Sequence, residues 1–424
     1  MRRRLMTWDV FFRLQPADHT MISKDFLKSG HTPTLFSSFL YFDMSFMVWV
    51  LLGALGVQIA RTLGLTPAEK GFMVAVPILS GAVLRLVNGF LVDRIGPKKT
   101  GTLAQLIVIA GLLAAWLLHI NNYGGVLALG CVLGMAGASF AVALPLASRW
   151  YPPKYQGVAL GIAGAGNSGT VFASLFAPTL AKMFGWTSVF GFVAIPLIIT
   201  FCIYQFLAKD APEQPPAKTA AQYLNIFKSP DAWWFMFFYG VTFGGFVGLS
   251  SSLNIYFNSE YGIDPIHAGF FTAACVFAGS LVRPVGGALA DRIGGIRTLS
   301  VMYTVAALAL VILSFGMPTI WTAVAVLIIG MGAMGMGNGA VFQLVPQRFR
   351  NEMGVMTGLV GMCGGIGGFY LAASLGLAKQ ATGSYQIGLL GFAGLALVAL
   401  AGLTYVKKRW RTTWHVFGAA DAKI

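Results

Sequence analysis

The chain has 424 residues, of which 57% are hydrophobic and only 10% charged, and its mean hydropathy is +0.74. A soluble domain carries about 25% charged residues, so most of this chain must face lipid or another apolar helix. The net charge of +15 would suggest nucleic acid in a soluble protein; here the basic residues fall mostly between apolar runs, read as topology signals, and imply no nucleic-acid partner.

The arm 1–34 is of mixed polarity and lacks the short apolar core and cleavage site of a signal peptide. It places Trp8, Phe11 and Phe12 beside basic residues, which suits either a short interfacial helix or disorder. Twelve apolar runs follow, at about 35–60, 71–92, 100–119, 125–148, 155–178, 186–208, 232–257, 266–290, 298–316, 320–345, 353–377 and 384–406. Each is long enough to cross a hydrocarbon core of about 30 Å as a helix. The fold class expected is therefore an all-α membrane protein of twelve transmembrane helices. Residues 209–231 are polar and Pro-rich and read as a cytoplasmic linker. They divide a bundle over 35–208 from a second over 232–406, with a tail at 407–424. With the N-terminus inside, the inward segments carry 23 Lys and Arg and the outward loops 4. That split places both termini in the cytoplasm.

Of the 14 Asp and Glu, only Asp43 lies within an apolar run, near the inner end of the first helix. It is the one candidate for a proton site there. The second run carries Arg85 in the stretch 81–99, GAVLRLVNGFLVDRIGPKK, which returns as 279–297, GSLVRPVGGALADRIGGIR. At an offset of 198, 9 of 16 positions from Gly81 to Gly96 are identical, and Arg85 meets Arg283. The two bundles are thus a duplication and should be pseudo-symmetric. Arg85 lies 8 residues before Asp93, roughly 12 Å into the core and so near its middle. A charge there costs on the order of 2.5–3.5 kcal/mol on insertion scales and needs a reason. Gly81, Asn88 and Gly89 share the face of Arg85, as Gly279, Gly286 and Gly287 share that of Arg283. Each arginine therefore sits on a small face able to line a cavity. No mid-membrane acid is available to neutralise them. A guanidinium presents paired donors that suit a flat oxyanion, so the pair reads as a clamp for one small anion. Nitrate and nitrite fit; formate, oxalate and phosphate are not excluded by composition.

The fifth run holds Gly157, Gly161 and Gly164, matched in spacing by Gly354, Gly358 and Gly361 of the eleventh. Such stripes permit close, slidable helix contact, and Asn167 adds a polar group among them. The DRxG segments, with Asp93 and Arg94 and with Asp291 and Arg292, form short inner loops whose charges are expected to pair and steady a closed inner face. The four Cys and five His are scattered, so no metal, cofactor, nucleophile or disulfide framework is implied. Neither a membrane enzyme nor a sensor with a large signalling domain is suggested.

The pattern Gly89-Phe90-Leu91-Val92-Asp93-Arg94-Ile95-Gly96, repeated from Gly287, resembles the signature loop of the major facilitator superfamily. Arg85, Arg283, GIAGAGNSG (161–169) and GLVGMCGGIGG (358–368) resemble the nitrate/nitrite porter family. YFDMSFMVW (41–49) and NGAVFQLVPQRF (338–349) are most similar to its assimilatory uptake members. The resemblance implies that Arg85 and Arg283 clamp nitrate or nitrite and that Asn167 hydrogen-bonds it. It implies further that Tyr239, Phe243 and Phe140 form a cage; read alone, these three are core aromatics. Helix eleven has Gly364-Gly365 where helix five has Gly166-Asn167, so the site should be less symmetric than the repeat. The family contains proton symporters and nitrate/nitrite exchangers. Uptake against a negative-inside potential costs roughly 2.3 kcal/mol per charge per 100 mV and needs a coupling ion, so proton-coupled uptake is expected. Two facing arginines without an anion favour exchange as the alternative. The protein is expected to work as a monomer in the plasma membrane, with no cofactor.

Overall fold

A computed structural model of the protein describes residues 24–212, 225–349 and 352–414. The predicted interfacial segment around Trp8, Phe11 and Phe12, and residues 213–224 of the predicted linker, lie outside them. Twelve crossings are present among the described residues. α1 is built from three pieces, Thr32–Trp49, Leu51–Ala54 and Gly56–Leu63. α2 is Pro67–Ile95 and α3 Pro97–Leu117. α4 joins Tyr123–Gly137 to Phe140–Ser148. α5 joins Pro153–Gly164 to Gly169–Phe184 through a 3₁₀ turn, Ala165–Ser168. α6 is Trp186–Leu207 and α7 Pro230–Tyr261. α8 joins Pro265–Leu281 to Arg283–Ile293. α9 is Gly295–Ser314, α10 Ile320–Arg348, α11 Met353–Thr382 and α12 Gln386–Thr413. Eleven of the crossings are long and apolar enough to span a membrane as they stand; only the segmented α1 needs its pieces taken together.

The predicted helices are all found, and several run past their predicted ends because polar caps extend them. α2 starts at Pro67 rather than 71: Thr66 and Glu69 form a capping box, the Thr66 amide donating to Glu69 Oε2 at 2.8 Å. α12 continues to Thr413, so the predicted tail from 407 begins as helix, and Trp410 and Trp414 are buried. The physical reason is Asp231. This carboxylate, at the start of α7, accepts from Arg348 Nε of α10 and Trp410 Nε1 of α12, each at 2.8 Å, and from Arg409. It is 6% exposed, so removing its charge strands two arginines. Asp231→Asn should destabilise the second half by about 3 kcal/mol, read as a lower melting temperature in detergent; an unchanged melting temperature would show that the packing of Trp410 holds this end alone.

α1–α6 and α7–α12 form two six-helix bundles. The start of α1 meets the end of α6, and the start of α7 meets the end of α12, at one end of the molecule, here the terminal end. At the opposite, far end the halves touch backbone to backbone. A methyl group on Gly71 would sit 2.8 Å from Gly376 Cα, one on Gly53 2.2 Å from the Ser251 carbonyl, and one on Gly269 2.3 Å from the Ser174 carbonyl. The Ala68 amide also donates across to Gln380 Oε1 at 3.0 Å. Contact continues inward to Gly365, against Ala82, and to Gly361, against Arg85. One turn further, nothing lies within 4 Å of a Cβ placed on Gly358, nor on Gly161 or Gly89. The halves are closed from the far end to the level of Arg85 and part beyond it. The predicted glycine stripes therefore do not carry the contact in this conformation. Among the stripe glycines whose surroundings are described, Gly164 reaches only Leu144 at 4.0 Å, Gly161 and Gly358 meet nothing within 4 Å, and Gly361 touches the other half.

Candidate functional site

Arg85 is 1% exposed, and the helix breaks explain what holds it. α4 is interrupted between Gly137 and Phe140, where the Ala141 amide turns to the Ala138 carbonyl at 3.1 Å. The Gly137 carbonyl thereby loses its usual helical donor and accepts from Arg85 Nε at 3.1 Å. Asn88, one turn along α2, donates to the Ala138 carbonyl at 3.4 Å. Arg85 Nη1 donates to the carbonyl of Gly361 on α11, across the interface. Gly361 packs directly on this side chain: a Cβ there would meet Arg85 Cδ at 3.4 Å, an ordinary van der Waals contact. Nη2 has no protein partner among the described residues.

Arg283 opens the second segment of α8, just past the break at Val282. Its Nη2 donates to the Tyr239 hydroxyl at 3.3 Å, and its buried Nη1 has no protein partner among the described residues. Gly339 of α10 makes this possible, since a Cβ there would lie 2.2 Å from the Arg283 carbonyl.

The two guanidiniums share one ring: Phe140 lies 5.7 Å from that of Arg85 and 5.9 Å from that of Arg283. Trp49 and Phe243 each lie 5.0 Å from Arg85, and Phe342 lies 5.7 Å from Arg283. Tyr239 stacks on Phe243 at 5.0 Å and meets Phe342 edge-on at 5.1 Å. These rings offer their negative faces to the cations. Among the described residues no carboxylate pairs with either arginine. The frame thus holds two permanent positive charges, each with one nitrogen free, in an apolar setting that strengthens their pull on a small anion. Nothing in it resembles a nucleophile or metal centre.

Arg85, Arg283, Phe140, Tyr239 and Phe243 are brought together. Asn167 is not. It is buried in the 3₁₀ turn of α5, and with its nitrogen turned to its own helix it donates to the Gly164 and Ala165 carbonyls at 3.2 and 3.3 Å. Gly81, Gly279 and Gly286 do not line a cavity either. They admit neighbouring backbone, Gly134 for the first and Met331 and Met336 for the others. Asp93 pairs at 3.3 Å with Arg149 of α4, in its own half. Arg94 lies over Phe90 at 4.0 Å, and Asp291 and Arg292 are exposed. The charge pairing expected at a closed inner face is thus seen as a pair within one half, Asp93 with Arg149, where the halves stand apart. Asp43 is not near a helix end. It is 3% exposed, eleven residues into α1 and pressed against α5. The sequence reading did not single out Trp49 and Phe342, or the Gly137 and Gly361 carbonyls. The rings are two among many aromatics, and a free carbonyl has no residue signature.

The chain matches the profile of the Major Facilitator Superfamily over residues 37–372. It is 33% identical over 362 residues to a "Nitrite extrusion protein" of Bacillus subtilis, with 85% of this chain and 90% of that one covered. It is 34% identical to a "Probable nitrate/nitrite transporter NarK2" of Mycobacterium tuberculosis, covering 84% and 91%. It is 31% identical to a "Probable nitrate/nitrite antiporter NarK1" of Thermus thermophilus, covering 83% and 86%. Among solved structures, a bacterial homolog of the human lysosomal transporter Spinster, crystallised inward-facing and unoccupied, superposes with a TM-score of 0.67 at 18% identity. That match covers 91% of this chain and 98% of the other and speaks for the fold. The protein is a multi-pass membrane transporter rather than an enzyme, and it belongs to the nitrate/nitrite porter family of the major facilitator superfamily.

Proposed function

We propose that the chain carries nitrate, and nitrite, across the plasma membrane by alternating access, and that its physiological direction is proton-coupled uptake. The anion binds between Arg85 and Arg283. The observation that carries this reading is the pair of guanidiniums on the one Phe140 ring, each with a free nitrogen and neither paired with a carboxylate. A planar fork at each side suits a planar monoanion. The names of the relatives supply the substrate class. With both termini cytoplasmic, as the Lys and Arg distribution favours, the open terminal end is the cytoplasmic one and the conformation is inward-facing. The Gly361 contact gives the clamp a part in the rocking of the halves. Arg85 reaches α11 from the far-closed side, so a ligand drawn to Arg85 acts on the point where the halves part.

Nitrate/nitrite exchange is the second reading. It is favoured by the two unneutralised cations, which resist reorientation without an anion, and by the relative named an antiporter. Formate or oxalate as cargo is a lesser alternative.

Direct binding tests the substrate. Purified protein should bind nitrate and nitrite in competition with each other; displacement by formate or phosphate but not by nitrite would overturn the assignment. Asn167 is proposed to reach the anion in the state where the α5 turn rearranges. Asn167→Ala should then weaken nitrate affinity about tenfold, the value of one hydrogen bond to a charged group. Unchanged affinity would leave Asn167 as a support of the 3₁₀ turn alone.

A further inference from the structure

Two carboxylates are buried among the described residues, Asp43 and Asp231. Asp231 is held by Arg348 and Arg409. Asp43 has no cation among the described ion pairs. Its Oδ1 accepts from the Ser168 hydroxyl at 2.7 Å. Ser168 ends the 3₁₀ turn that interrupts α5, next to Asn167. The two helices touch backbone to backbone at this point: a Cβ on Gly169 would lie 1.7 Å from the Asp43 carbonyl, and one on Gly166 2.8 Å from its amide. On its other side Asp43 follows Phe42, whose ring lies 5.8 Å from Phe140. Asp43 therefore holds the break in α5, and its chain neighbour Phe42 packs against the ring shared by the two arginines. Charged and titratable groups on the helices packed around it are engaged elsewhere. Arg149 of α4 pairs with Asp93, Tyr155 of α5 packs on Phe26, and Tyr204 of α6 lies against Tyr41. On α7, Asp231 lies at the terminal end and Glu260 at the far end, where it pairs with Lys379.

We propose that Asp43 is the proton-carrying group of the transport cycle, and that it couples one proton to one anion through the Ser168 hydrogen bond and the α5 turn. The proton is taken from water when the far side is open, forming the carboxyl O–H. It returns to water on the terminal side, where α5 has open space beside Gly161, seven residues before Ser168. No other bond forms or breaks. As a carboxylate, Asp43 holds the Ser168 hydroxyl as its donor. As a carboxyl it carries its own donor, so that contact and the turn it anchors can rearrange. A single carboxylate carries a single proton. One proton with one monovalent anion is a neutral load, on which the membrane potential does no work.

This inference rests on the reading of the chain as an anion transporter. The experiment uses the full chain in proteoliposomes, with labelled nitrate and with the pH gradient and the potassium-set potential varied independently. The wild type should accumulate nitrate about tenfold per pH unit at equilibrium, the ratio equivalent to one proton, whatever the potential. Asp43→Asn should make the accumulation ratio independent of the pH gradient, and equal to one at zero potential, while keeping nitrate counterflow within about twofold of the wild type. Accumulation that still follows the pH gradient in Asp43→Asn would overturn the proposal, as would loss of its counterflow together with accumulation. A wild-type ratio that follows the potential would overturn the one-proton stoichiometry. Absence of counterflow in the wild type would instead sink the transporter reading on which the proposal stands.

Discussion

Arg85→Lys will lower nitrate counterflow by about tenfold to a hundredfold, the loss of one hydrogen bond to a charged group. Charge alone is not what the site uses. Arg85 does three things with one planar head: Nε holds the Gly137 carbonyl, Nη1 holds the Gly361 carbonyl across the interface, and Nη2 is left for the anion. A lysine has one nitrogen at the end of a flexible stem. It can serve the α4 break or reach the anion, and cannot also hold α11. The cation–π contacts with Trp49 and Phe243 would weaken too, because they depend on the flat face. Arg283→Lys should show a similar loss through its Tyr239 contact. Counterflow at wild-type rates in either variant would contradict the clamp.

Gly376→Leu should lower counterflow by about fivefold to a hundredfold while leaving nitrate binding to the purified protein in place. A Cβ on Gly376 would lie 2.6 Å from the Pro67 carbonyl and 2.7 Å from Gly71 Cα, and leucine adds three more carbons. The helix backbones cannot then meet at the far end. Overpacking of this kind costs about 1–3 kcal/mol, and here it falls only on the far-closed state, since the contact exists only when that end is shut. A bias of that size shifts a two-state equilibrium by about 5- to 150-fold. The site residues are untouched, so binding from the far side should persist. Wild-type counterflow in this variant would mean that the cycle does not pass through the closed far end seen here.

The sequence made the two arginines legible because duplication repeats the useful position and lets drift erase the rest. Their depth followed from simple helix geometry. Helix number and order were legible for the same kind of reason: a run of about 20 apolar residues has few other destinations. The breaks were not. α4 parts at Ala138-Ser139 within an unbroken apolar run, and α8 parts at Val282 beside Pro284, in a setting where membrane helices commonly tolerate proline. Those two breaks seat Arg85 and Arg283. Trp49 and Phe342 were hidden because an aromatic side chain in an apolar helix gives the same signal whether it faces a cation or another ring. Asp43 was placed too close to a helix end because α1 starts at Thr32, capped by His31, rather than at the first residue of the apolar run. The Asp231 cluster joins residues 117 and 178 positions apart, a pairing that periodicity cannot foretell.

The central claim is that two arginines from duplicated helices hold one nitrate between halves that rock. Counterflow in proteoliposomes tests it most directly, with labelled nitrate outside and unlabelled nitrate, nitrite, formate or phosphate inside. Trans-stimulation by nitrate and nitrite, absent with formate and phosphate and lost together in Arg85→Lys and Arg283→Lys, is the result predicted. Stimulation by formate or phosphate in place of nitrite, or full stimulation in either lysine variant, would contradict it.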